Sequence, residues 1–205
     1  IYRELASLRI ALRSHARGPR AQEIKGQDLT ARTELSFRDA VEGRTISLSV
    51  NGEKVNAKIP AGVKDGQKIR LRGRGRPSPD GGENGDIVVS ITVRPHPVFT
   101  RDGLNLRLTV PVKFTEATLG ATIEVPTLGG DVVKLRVAPG TPSGRVLRVK
   151  GRGVKSSKGT GDLLAELQVA VPTHLDDAAR EALERFQELE PQENPRAELM
   201  AKARR

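Results

Sequence analysis

Residues 57–75, AKIPAGVKDGQKIRLRGRG, return downstream as residues 135–153, LRVAPGTPSGRVLRVKGRG. Gly62, Gly66, Arg70, Gly73, Arg74 and Gly75 fall on Gly140, Gly144, Arg148, Gly151, Arg152 and Gly153. Turn residues kept in order over such a length are the mark of a duplicated unit. Working outward, each copy next reaches Gly-Asp and an apolar run, Gly85-Asp86-Ile87-Val88-Val89 and Gly161-Asp162-Leu163-Leu164-Ala165. Upstream, Phe37-Arg38-Asp39-Ala40-Val41-Glu42-Gly43 corresponds to Phe114-Thr115-Glu116-Ala117-Thr118-Leu119-Gly120. The chain therefore holds two copies of one domain.

The local grammar of each copy is β. Leu48 and Val50, and Ile87, Val89, Ile91 and Val93, recur at every second position, as a half-buried strand requires. A sandwich or barrel follows. Asn51-Gly52 stands between a strand ending at Val50 and one starting near Val55, and this dipeptide suits the positive φ angles of a type I′ hairpin. The Phe37 to Val41 and Phe114 to Thr118 stretches predict one helical turn each. After Pro172, the residues Leu175, Ala179, Leu183, Phe186 and Leu189 keep near-helical spacing, with Asp176 and Asp177 at the end where the helix dipole favours acid. Beyond Pro191 the sequence is polar and is expected to fray. Ile1, Leu5, Leu8 and Leu12 also keep helical spacing, among scattered arginines, before Gly18-Pro19. The expected organisation is a leader at 1–27, partly helical or disordered, β-domains at 28–97 and 98–173, a helix at 174–190 and a polar tail at 191–205.

Composition removes several classes of function. The 205 residues contain no cysteine, which excludes disulfides, thiolate zinc sites and cysteine nucleophiles. His15, His96 and His174 are scattered, too thinly for a histidine metal cluster or a triad. Aromatic residues make up 2%, leaving little for stacking on single-stranded nucleic acid, so the core must be aliphatic. The net charge of +10 attracts anionic partners without naming one. No apolar run approaches the 18 or so residues of a membrane span, so a cytoplasmic location is the expectation. Asp86, Asp162, His96 and Arg101 form no nucleophile and base spacing; Gly-Asp reads as a turn leading into a strand, and His96 between two prolines as structural. No enzymatic activity and no cofactor are expected.

Residues 28–190 resemble the paired C-terminal β-domains of DnaJ-type J-domain co-chaperones. The residues that carry the resemblance are Ile59-Pro60-Ala61-Gly62, Asp65-Gly66-Gln67, Leu71-Arg72-Gly73-Arg74-Gly75 and Arg94-Pro95-His96-Pro97-Val98-Phe99. Val110-Pro111-Val112, Ala117-Thr118-Leu119-Gly120 and Val125-Pro126-Thr127-Leu128 add the signature of the second domain. The resemblance implies a mainly β fold of two tandem β-sandwich domains with short helices and a C-terminal amphipathic dimerisation helix. Many DnaJ proteins insert a cysteine-rich zinc module where Val50-Asn51-Gly52-Glu53-Lys54-Val55 here forms a tight turn, so no metal is expected. Either the chain belongs to the zinc-free class or the module has been replaced. The J-domain's His-Pro-Asp tripeptide does not occur in these residues, and stimulation of a DnaK-type ATPase is not expected of them alone.

The resemblance places the family's groove for unfolded polypeptide on Leu29, Leu48, Val50, Val55 and Val89; the alternative is that these side chains simply form the core. It places a homodimer contact on Leu175, Leu183, Phe186 and Leu189, against the alternative that this stripe packs on its own chain. Lys64 and Lys68 lie near where some zinc-free members bind the acidic tail of their DnaK-type partner, although Pro60 and Ala61 stand where those members carry lysines. The Arg-rich turns, Arg70, Arg72, Arg74 and Arg76 with Arg145, Arg148, Lys150 and Arg152, leave open a second function, DNA binding of the nucleoid type.

Overall fold

The computed structural model describes residues 24–204, so most of the expected leader lies outside the described residues. The first copy runs β1 (Leu29–Leu35), α1 (Phe37–Glu42), β2 (Arg44–Val50), β3 (Glu53–Ile59), β4 (Lys68–Leu71) and β5 (Ile87–Val93). The second begins with β6 (Thr100–Asp102) and β7 (Asn105–Lys113), followed by α2 (Phe114–Leu119), β8 (Ala121–Pro126) and β9 (Val132–Val137). It continues through β10 (Val146–Val149), β11 (Lys155–Ser156), β12 (Gly159–Thr160) and β13 (Leu163–Ala170). Two helices follow, α3 (Asp177–Leu189) and α4 (Ala197–Ala203). The described chain divides into two compact units. One holds the residues up to Leu108 with 126–131 and 148–165; the other holds 109–125, 132–147 and the residues from 166 onward.

The duplication read from sequence is a duplication of topology. In the first copy one sheet has the order β1-β5-β4, and β2 pairs with β3. In the second, β10-β13-β7-β6 contains the same three-strand order with β6 added, and β8 pairs with β9. β1 runs parallel to β5, Leu29 opposite Ile87 and Leu35 opposite Val93. β2 and β3 form an antiparallel hairpin closed by Asn51 (φ 52°) and Gly52 (φ 86°), the positive pair that a type I′ turn demands.

Alternation makes the core. Ile87, Val89 and Ile91 of β5 are enclosed together with Leu48 of β2, Ala57 and Ile59 of β3, Leu35 of β1 and Ala40 of α1. Burying each large aliphatic side chain contributes roughly 1.5–3 kcal/mol. The short helices are started by different residues in the two copies. Ser36 Oγ accepts from Asp39 N at 3.1 Å, whereas Lys113 N donates to Glu116 Oε2 at 2.8 Å. The C-terminal helix forms where its spacing predicts it, capped by the Asp176 carboxylate, which accepts from Ala179 N at 2.7 Å. Beyond Pro191, where fraying is expected, the chain instead turns into α4.

Candidate functional site

The repeated Gly-Asp is the anchor of each Arg-rich turn. Asp86 accepts from Gly73 N at 2.9 Å, from Lys25 Nζ at 3.0 Å and from Arg70 Nη1 at 3.2 Å, while its own N–H donates to Asp28 Oδ1 at 2.7 Å. Asp162 repeats the pattern with Gly151 N at 2.8 Å, Arg148 Nε at 3.5 Å and a bond from its own N–H to Asn105 Oδ1 at 2.9 Å. Arg152 pairs with Asp131 at 3.2 Å, and Arg76 Nη1 reaches Gln27 Oε1 at 3.4 Å. Several of the arginines that sequence offers to phosphate are therefore held by the chain's own carboxylates and amide, although Arg72 and Arg74 remain exposed.

The Gly73 N–H, followed by Lys25, holds the Asp86 carboxyl below its ordinary 3.8; burial works in the other direction, and the charges of Lys25 and Arg70 add to the lowering. A carboxyl whose folded value lies below its unfolded one contributes stability in full above the unfolded value, and that contribution disappears as pH falls through the folded value. Urea midpoints recorded between about pH 2 and 6 should therefore fall more steeply on the acid side for the native chain than for Asp86→Asn. Parallel curves would show that Asp86 is not part of the acid response.

His96 and Arg101 are structural. His96 Nδ1 accepts from Val98 N at 3.0 Å and Phe99 N at 3.2 Å, and its ring lies 5.7 Å from Phe37 and 5.1 Å from Phe99. Arg101 donates to three backbone carbonyls, those of Gly62, Val63 and Gly103, each at 2.8 Å.

The five residues placed in the groove all belong to one apolar cluster, but they do not share one exposure. Val89 is 0% exposed and Leu48 9%, so these two are core residues with almost no surface to offer. The physical reason is their position: Val89 lies on the central strand of its sheet, and Leu48 faces it from the second layer. Leu29, Val50 and Val55 are only half-buried over that core, and sequence reasoning did not single out Ala31 and Ile46, which are half-buried beside them. Alternation could have found Ile46, since it precedes Leu48 and Val50 in the same row. Among the described residues β2 pairs with β3 alone, which leaves one border of β2 unpaired in its sheet. An unpaired border beside half-covered aliphatic side chains can take up an extended chain through backbone hydrogen bonds.

Of the residues placed at the dimer contact, Leu183 is 48%, Phe186 39% and Leu189 75% exposed, and Leu175 is half-buried. No residue of α3 is buried. Phe186 meets Phe114 edge-on at 5.7 Å, so the stripe touches its own chain at that ring without being covered by the described residues. Lys64 and Lys68 are exposed, Lys64 in the turn after Val63 and Lys68 at the start of β4. Among the described residues no group of histidine and carboxylate side chains is arranged to hold a metal ion, and no helix is long and apolar enough to cross a membrane.

Comparison with known proteins agrees with this architecture. Residues 24–172 match the family described as the DnaJ C terminal domain. Chaperone protein DnaJ 2 of Cutibacterium acnes is 56% identical over 145 residues, which is 70% of this chain and 38% of that protein. Chaperone protein DnaJ 1 of Streptomyces avermitilis is 50% identical over 151 residues, 73% of this chain and 38% of its own length. Chaperone protein DnaJ 2 of Mycolicibacterium paratuberculosis is 57% identical over 133 residues, 64% and 34% of the two chains. The chain thus spans little more than a third of the curated relatives it matches. A duplicated β-rich topology, the Gly-Asp anchor in each copy and a family match over residues 24–172 together make this chain a member of the DnaJ C-terminal domain family.

Proposed function

We propose that this chain is the client-holding part of a DnaJ-type co-chaperone, which retains unfolded polypeptide in the cytoplasm and passes it to a DnaK-type ATPase. The observation that carries this is the border of β2 that no described strand pairs, together with the half-buried Leu29, Val50 and Val55 over the same core. Main-chain bonds to a strand border recognise any extended segment, and an apolar side chain entering the half-covered layer adds affinity without demanding a sequence. Leu48 and Val89 act as the floor of that layer. One buried Leu or Phe offers roughly 1.5–3 kcal/mol, much of which is offset by association and ordering, so single-site binding is micromolar at best, about −8.2 kcal/mol. Weak holding suits a client that must be handed on. The relatives carry the name chaperone, which supports the same role. Lys64 and Lys68 are the residues assigned to the acidic tail of the ATPase, and α3 the element assigned to pairing two copies. DNA binding is the weaker alternative, because Arg70, Arg148 and Arg152 already face Asp86, Asp162 and Asp131.

Val50→Thr and Val55→Thr keep the shape of the side chains and change their polarity. The double variant should melt cooperatively yet protect a chemically denatured client from aggregation several-fold less well, measured by light scattering at equal concentrations. Full protection by a folded double variant would remove the groove from this site.

A further inference from the structure

Asparagine followed by glycine occurs twice in this chain, at Asn51-Gly52 and at Asn84-Gly85, whereas Asn56, Asn105 and Asn194 precede Ala57, Leu106 and Pro195. The dipeptide carries its own nucleophile. The backbone nitrogen of the second residue can attack the asparagine side-chain carbon, and a glycine, having no Cβ, leaves that approach open. Folding decides which pair reacts, because the attacking nitrogen must be free and must come within roughly 3–3.5 Å of the carbon.

At Asn84-Gly85 both conditions fail. Gly85 N donates to Arg76 O at 2.9 Å, Gly85 O accepts from Gly75 N at 2.7 Å, and Asn84 Nδ2 donates to Gly73 O at 3.4 Å. Gly85 is buried, and a Cβ placed on it would meet Gln27 O at 2.1 Å, so this backbone has no room to rotate. Asn51-Gly52 is held quite differently. Both residues are exposed at the tip of the β2–β3 hairpin, and no atom lies within 4 Å of the place a Cβ on Gly52 would take. Among the described residues Gly52 N donates to no backbone group. Opening of this tip, which disturbs a single turn, brings the free nitrogen to the side chain.

We propose that Asn51 is a self-modifying site, which loses its side-chain amide in the folded protein while Asn84 keeps its own. Gly52 N gives up its proton to solvent base and bonds to Asn51 Cγ; the Cγ–Nδ2 bond breaks, and the departing nitrogen takes up a proton and leaves as ammonia. Water then opens the succinimide ring. Cleavage between Cγ and Gly52 N gives aspartate on an unchanged main chain. Cleavage between the Asn51 carbonyl carbon and Gly52 N gives isoaspartate, whose main chain runs through Cβ and Cγ and is longer by a carbon atom. The two products differ in effect. Aspartate suits the positive φ of 52° at this position, as asparagine does, so the hairpin keeps its turn. Isoaspartate cannot fit a two-residue turn that sets Val50 opposite Glu53, and it loosens the end of β2 and β3. The chemistry is independent of the client role proposed above; only its consequence, weaker client holding beside Val50 and Val55, rests on that role.

The test incubates the full chain in mildly alkaline buffer, folded and in concentrated urea, and follows amide loss by mass spectrometry of tryptic peptides 45–54 and 75–101. In the folded chain Asn51 should lose its amide about tenfold faster than Asn84, and in urea the two rates should converge. Peptide 45–54 should resolve into aspartate and isoaspartate forms. Equal rates in the folded chain, a faster loss at Asn84, or an intact Asn51 over the time in which the unfolded chain loses both amides would each overturn the site. The isoaspartate form of the chain, separated by ion exchange, should protect a denatured client several-fold less well than the native chain, and Asn51→Asp should protect as well as native. If amide loss is confined to Asn51 while the isoaspartate form protects in full, the client groove fails and the modification site stands.

Discussion

Gly161→Ala should be among the most destabilising single-methyl substitutions in this protein, lowering stability by roughly 3 kcal/mol or more, read as a large drop in urea midpoint. A Cβ at this position would lie 1.8 Å from the carbonyl oxygen of Leu104, with Asn105 N at 2.9 Å. The contact is with backbone, which cannot rotate aside as a side chain would. That backbone is also held in place: Gly161 N donates to Val154 O at 2.9 Å, Gly153 N donates to Gly161 O at 3.0 Å, and Val154 N donates to Leu104 O at 2.8 Å. Relief of the clash would therefore break the hydrogen bonds that join the Arg-rich turn to the strand after it. The first copy repeats the arrangement, with a Cβ on Gly85 meeting Gln27 O at 2.1 Å, so Gly85→Ala should behave alike. A loss below about 1 kcal/mol at both positions would mean that the turns yield easily and are not the rigid joints described here.

Much of this fold is legible in the sequence. The repeat forecast the shared sheet order, Asn51-Gly52 forecast the hairpin, and the spacing from Leu175 to Leu189 forecast α3, because turn chemistry and periodicity are local properties of sequence. Depth of burial was not legible. Alternation places Val50 and Val89 on inward faces, but only the extent of the second layer decides that Val89 is enclosed and Val50 is not. The partners of Asp86 were also hidden, since Lys25 and Arg70 reach it across 61 and 16 residues and leave no periodic trace. The tail was misread for a different reason. Its polar composition obscured a run of strong helix formers, Ala197-Glu198-Leu199-Met200-Ala201-Lys202-Ala203, in which Lys202 and Glu198 pair one turn apart.

Leu183→Asp combined with Leu189→Asp should halve the sedimenting mass of the chain and weaken its apparent affinity for an unfolded client on a surface by roughly 100-fold. The two leucines and Phe186 occupy about 120° of the α3 circumference, and Asp177, Glu181, Glu184 and Glu188 lie on the other side. A helix divided in this way, with none of its residues buried, presents an apolar face that the described residues of a single copy do not cover. If two copies bury their faces against each other, three large side chains from each contribute roughly 1.5–3 kcal/mol apiece. Association offsets about 4–15 kcal/mol of that sum, which leaves a dimer in the micromolar range whose mass rises with concentration. Pairing then joins two weak client sites in one particle, and the second binds at the high local concentration set by the first. The leucines are chosen because Phe186 also meets Phe114 within its own chain, so that Phe186→Asp would remove an internal ring contact together with the dimer face. Circular dichroism should show the helix retained in the double leucine variant, since both positions are substantially exposed. A native chain that sediments as a monomer up to about 100 μM would reject the interface, and a dimer indifferent to both aspartates would move it off α3.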